Sequence, residues 1–190
     1  MSAIHFVGLS GSLRKGSLNT ALLHSAMTLL PEDVSMEFAS IADLPLYNAD
    51  HDLPAVNERP EAVTIFRDIL AKADGFVIVS PEYNYSIPGV LKNAIDWASR
   101  GDDSPLMNKP VALMGATPGM WGTIKMQVAF HTVFQFLNMK SVYKPEILIS
   151  QANSKFKDGK LIDEPTKELV NKQLTALKGL VKKMQAGQPV

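Results

Sequence analysis

Gly75-Phe76-Val77-Ile78-Val79 is an unbroken apolar run of strand length between two segments of helical spacing, and it restricts the fold more than any other stretch. A strand without polar alternation is one buried on both faces, as in a parallel sheet covered by helices. The same order of elements recurs along the chain. Ile4-His5-Phe6-Val7-Gly8 precedes a periodic segment carrying Leu22, Leu23, Ala26, Leu29 and Leu30, and Ser35 to Ala39 has the look of a short second strand. Glu61 to Ala73 places Val63, Ile65, Phe66, Ile69 and Leu70 on one helical face. Further helices are expected from about Val90 to Ser99 and from about Ile124 to Leu137, on either side of a fourth strand at Val111 to Gly115. Pro145 interrupts a last strand around Ser141 to Ile149, and Asp163 to Met184 forms a long terminal helix with Leu169, Leu174, Leu177 and Val181 inward. This alternation predicts an α/β fold in a single domain, 1–190, with helices on both faces of a parallel sheet. A polar loop from Ala42 to Pro60, punctuated by Pro45, Pro54 and Pro60, is long enough to suggest a lid or rim. Its Asp43, Asp50, His51 and Asp52 read as solvated.

Three loops carry unusual chemistry. The first, Ser10 to Asn19, joins the first strand to the first helix, and the unpaired N–H groups at such a helix start favour an anion. Small residues allow close approach, Ser12, Ser17 and Asn19 offer short polar side chains, and Arg14 offers a planar fork for phosphate oxygens. Neither G-x-x-x-x-G-K-[ST] nor G-x-G-x-x-G is present, so a phosphomonoester suits the loop better than a nucleoside triphosphate or a dinucleotide. A plain capped helix is the alternative reading, since Ser and Asn are also favoured caps. The second loop, Ser80 to Gly89, combines Pro81 and Pro88 with Tyr83 and Tyr85; the third, Ala116 to Gly122, is rich in glycine. With strand order 2-1-3-4-5 all three open on the carboxyl edge of the sheet, where ligands of such folds bind. A phosphate cradle facing a flat, hydrogen-bonding surface has the shape of FMN. Plainer roles exist for the same residues: rim aromatics for Tyr83 and Tyr85, an Asx turn for Asn84, a cap for Thr117 and core for Trp97.

Nineteen basic and nineteen acidic residues cancel, which argues against nucleic acid or an anionic membrane as a partner. Lys178, Lys182 and Lys183 fit a solvated helix C-terminus. The chain has no cysteine, so disulfides, thiolate metal sites and a redox dithiol are excluded, and any electron transfer requires a cofactor. His5, His24, His51 and His131 lack ligand spacing, so no metal site is expected. No stretch has the pattern of a signal peptide or membrane span, and the expected location is cytoplasmic.

Gly11-Ser12-Leu13-Arg14-x-x-Ser17-x-Asn19, followed by Ser80-Pro81-Glu82-Tyr83-Asn84-Tyr85-Ser86-Ile87-Pro88-Gly89 and Val90 to Trp97, resembles the NADPH-dependent FMN reductases, most closely their bacterial quinone and chromate reductase branch. The resemblance implies a flavodoxin-like three-layer sandwich whose five-stranded parallel sheet has the order 2-1-3-4-5. It also implies noncovalent FMN, NADPH or NADH as co-substrate, and homodimers or homotetramers built by helix packing. By position it assigns Ser12, Leu13, Arg14, Ser17 and Asn19 to the phosphate end. Pro81, Glu82, Tyr83, Asn84 and Tyr85 would border the isoalloxazine ring, with Thr117 contacting it from the third loop; Glu82 is alternatively a dimer contact. No side chain is assigned a catalytic role, because the flavin carries the chemistry. The implied activity moves two electrons from NAD(P)H through FMN to quinones, and permissively to chromate, azo dyes or free flavin. The rival readings are a one-electron carrier serving protein partners, a reductase that releases reduced FMN, and a fold retained without activity. Met120 and Trp121 stand where relatives more often carry small residues, so substrate preference does not transfer.

Overall fold

The computed structural model describes residues 3–189. Its central sheet is parallel, with strands β1 (Ile4–Ser10), β2 (Val34–Ala39), β3 (Gly75–Val79) and β4 (Pro110–Ala116) in the order β2-β1-β3-β4. The fifth position is shared by two short strands, β5 (Lys140–Ser141) and β6 (Ile147–Ile149), both parallel to β4. The single last strand expected from the sequence is therefore divided. Pro145 lies in the gap and has no N–H to give a ladder, so pairing stops at Ser141 and resumes at Ile147.

Among the described residues five α-helices cover the sheet: α1 (Leu18–Thr28), α2 (Glu61–Ala71), α3 (Gly89–Ser99), α4 (Ile124–Phe136) and α5 (Glu164–Gln185). Alternation along the strands divides the core between two faces. Val7, Leu9, Phe76, Ile78, Val111 and Leu113 pack with Phe66, Leu91 and Phe130 from α2, α3 and α4. Phe6, Val77, Val79, Ala112 and Met114 pack with Leu22, Leu23, Leu174 and Leu177 from α1 and α5. All five residues of β3 are buried, as an apolar run between two helical layers requires. Trp97 is core, fully enclosed, and donates its indole N–H to Pro45 O at 2.8 Å.

That bond begins a set of contacts that fixes the 42–60 loop against α3. Asn93 Nδ2 donates to the same carbonyl at 2.9 Å, and Asn93 Oδ1 accepts from Tyr47 N at 2.7 Å. Asp52 corrects the sequence reading of a solvated acidic loop: it is buried, and its Oδ1 accepts from Arg59 Nε at 2.6 Å. Arg59 reaches on to Asp103 at 2.8 Å, and Arg67 meets the same carboxylate at 2.8 Å. The loop is held by ion pairs and lies along α3. A further element unexpected from the sequence reading is the hairpin β7 (Phe156–Lys157) and β8 (Lys160–Leu161), which packs against α1.

Candidate functional site

A cavity of about 220 Å³ lies at the carboxyl edge of the sheet and is lined from all three loops. The first loop contributes Ser12, Arg14 and Ser17, with Leu18 and Asn19 from the start of α1; the second contributes Pro81, Glu82 and Tyr83; the third contributes Ala116, Thr117 and Pro118. Close approach of the loops depends on small residues. A Cβ on Gly11 would overlap the Ser80 hydroxyl, so the first loop crosses β3 only with glycine there.

The donors at the cavity come from a helix end and hydroxyls. Ser17 is the N-cap of α1 and accepts from Thr20 N at 3.3 Å. The N–H groups of Leu18 and Asn19 find no acceptor among the described residues and remain as donors at the positive end of α1. Ser12 Oγ accepts from Arg14 N at 3.3 Å, which turns the loop so that Arg14, exposed, stands at the cavity mouth. Hydroxyls, a guanidinium and unpaired N–H groups form a donor set suited to a phosphate dianion.

Asn19 does something the sequence did not reveal. Its Nδ2 donates to Ala116 O at 2.9 Å and its Oδ1 accepts from Ala116 N at 2.8 Å, so the buried amide stitches α1 to the end of β4. Leu13 is exposed and is not among the residues lining the cavity. Asn84 and Tyr85 line an adjoining open hollow of about 510 Å³, and Glu82 borders both spaces. Thr117 is in the narrow cavity, where its Oγ1 accepts from Gly119 N at 3.2 Å.

The second loop is a tight hairpin. Tyr83 and Ser86 exchange main-chain hydrogen bonds at 3.1 and 2.9 Å, and the two residues between them, Asn84 and Tyr85, both have positive φ, +50° and +64°. Asn tolerates that region; a bulky Tyr is held there at a cost that its surroundings must meet. Lys125 Nζ sits 3.0 Å from the centroid of the Tyr85 ring, a cation–π contact from the start of α4. The Glu82 carboxylate accepts from Lys125 N and Met126 N at 2.9 and 3.0 Å. Missing from the sequence reading were Leu18, Ala116 and Pro118 as lining residues and this role of Glu82. Leu18 lay within the first loop already singled out, and Ala116 and Pro118 within the third; the role of Glu82 leaves no local signature. Met120 and Trp121 are exposed within the third loop and do not line the narrow cavity.

A parallel sheet of this order with an anion cradle after its first strand and a rigid hairpin after its third defines a flavodoxin-like nucleotide-binding protein. The chain belongs to the NADPH-dependent FMN reductase family, whose model matches residues 4–154. It is similar to an NAD(P)H-dependent FMN reductase of Pseudomonas aeruginosa, 43% identical over 183 residues that cover 96% of this chain and 97% of the relative. A quinone reductase of Escherichia coli is 37% identical over 185 residues, 96% of this chain and 97% of that one. Among solved structures, a flavoenzyme NAD(P)H:acceptor oxidoreductase from Paracoccus denitrificans superposes with a TM-score of 0.83 at 32% identity, covering 95% of this chain and 98% of its own.

Among the described residues no cluster of His, Asp or Glu could hold a metal ion, and no helix is long and apolar enough to cross a membrane.

Proposed function

We propose that this protein is an FMN-dependent NAD(P)H:quinone oxidoreductase, and that the three-loop cavity holds the cofactor without a covalent bond. The observation that carries the reading is the donor set at the cavity: Arg14, Ser12, Ser17 and the unpaired N–H groups of Leu18 and Asn19 surround a space with one carboxylate, and that carboxylate is engaged by α4. Net attraction for a phosphate follows. The main chain of 81–85, stiffened by Pro81 and the hairpin, borders the ring, and Thr117 faces it from the third loop. The chemistry supplied by bound FMN is acceptance of a hydride from reduced nicotinamide and delivery of two electrons to an acceptor. The chain contributes placement. The open hollow beside Asn84 and Tyr85 admits nicotinamide and quinone in turn, and its width allows chromate and azo dyes as permissive acceptors.

The protein acts as a homodimer or homotetramer. Ile124, Val128 and Phe136 on α4, with nearby Tyr143, are exposed apolar side chains of the kind that a second copy covers.

The test is turnover of purified protein with NAD(P)H and a benzoquinone, no other protein being present. Sustained oxidation with parallel double-reciprocal lines is expected. Turnover that requires a protein acceptor would favour a one-electron carrier, and loss of yellow colour on desalting would favour release of reduced FMN as product.

A further inference from the structure

Helix α4 lacks a cap of its own. Thr123, its N-cap residue, has φ +69°, and its side chain makes no capping bond. The Thr123 hydroxyl is buried, has no hydrogen-bond partner among the described residues and is turned under Gly115, where a Cβ would overlap it. The N–H groups at the second and third helical positions, Lys125 and Met126, would be left without acceptors. Glu82, forty-three residues earlier, supplies one: a single carboxylate oxygen accepts both, at 2.9 and 3.0 Å. The partners in this bond are the segment that borders the ring under the function proposed above and the first turn of α4. Immediately beyond Glu82 lie Asn84 and Tyr85, the two positive-φ residues, and Tyr85 is covered by the Lys125 ammonium.

We propose that Glu82 is a positioning residue, whose carboxylate caps α4 from a distance and thereby holds the 83–86 hairpin in the strained conformation that presents its main chain to the flavin. The bond acts in both directions: α4 gains the cap it lacks, and the hairpin gains an anchor outside itself. A negative group at a helix N-terminus is favourable by charge as well as by hydrogen bonding. Gln retains an acceptor oxygen at the same reach, whereas Ala leaves both N–H groups exposed. The proposal rests on the flavin reading for its consequence and on the Glu82–α4 contact for its geometry.

Two variants, Glu82→Ala and Glu82→Gln, test it by two measurements. In protein free of flavin, amide exchange at Lys125, Met126 and Ser86 is expected to accelerate at least tenfold in Glu82→Ala and less than threefold in Glu82→Gln. In titrations with FMN, Glu82→Ala is expected to raise the Kd at least tenfold and to alter the circular dichroism of the bound flavin, with Glu82→Gln restoring most of both. Faster exchange at Lys125 and Met126 with an unchanged hairpin, FMN Kd and flavin spectrum would overturn the proposal and reduce Glu82 to a cap. Wild-type protein that binds no FMN would instead overturn the function, while the exchange comparison would still decide whether Glu82 holds the hairpin.

Discussion

Two polar residues at the same cavity are expected to behave oppositely on mutation. Arg14 is exposed at the mouth with no ion pair among the described residues, so Arg14→Ala should leave the melting temperature unchanged. Loss of its charge-assisted bonds to phosphate, about 1.5–3 kcal/mol, should raise the FMN Kd about ten- to a hundredfold, measurable by fluorescence titration. Asn19 is buried and doubly bonded to Ala116. Asn19→Ala would strand an N–H and a C=O in the interior, each costing about 1–3 kcal/mol, so its first effect should appear in a denaturation curve. The sequence marked both residues as polar groups near a helix start. It could not separate them, because the difference lies in Ala116, ninety-seven residues away. Asp52 was misread because its burial is not a local property: its partner Arg59 is close in sequence, but Arg59 reaches on to Asp103, forty-four residues further along the chain.

At the scale of elements, local signals placed most boundaries. Ser17 and Asp163 cap α1 and α5, the apolar run of β3 coincides with the strand, and the interruption at Pro145 was legible as a break, though not as two separate strands. The β7–β8 hairpin had a signal that went unused, Asp158-Gly159, both with positive φ as a two-residue hairpin turn requires. The 42–60 loop was legible as long and polar, not as fixed. Its attachment gives a pH prediction. The hydrogen bond from Arg59 chiefly, and the nearby charge of Arg67, hold the Asp103 carboxyl below the usual carboxylate range. A carboxyl so depressed contributes stability above its unfolded pKa of about 3.9 and loses it as pH falls through the lower folded value. Asp103→Asn should therefore destabilise the protein at pH 7 by about 1 kcal/mol or less, Asp103 being solvent-screened. The gap between variant and wild type in urea midpoints should close below about pH 4.

For the whole molecule, alternation of strand and helix determined the topology, and the convergence of three loops followed from it; the exposed apolar side chains on the outer face of α4 did not. Val128 and Phe136 are exposed on that helix, so in the oligomer proposed above replacing both with Lys should shift sedimentation toward a smaller species while the isolated fold keeps its far-ultraviolet spectrum. The family and its quinone and FMN reductase relatives support the chemistry, and the proposed seat gives the central claim: a flavin held across these loops is reduced by nicotinamide. The most direct measurement is the absorbance spectrum of protein reconstituted with FMN and desalted, followed by anaerobic addition of NADPH or NADH. Retained flavin bands that bleach on addition of one equivalent are predicted. Protein that emerges colourless, or keeps its bands with either nicotinamide in excess, would contradict the account.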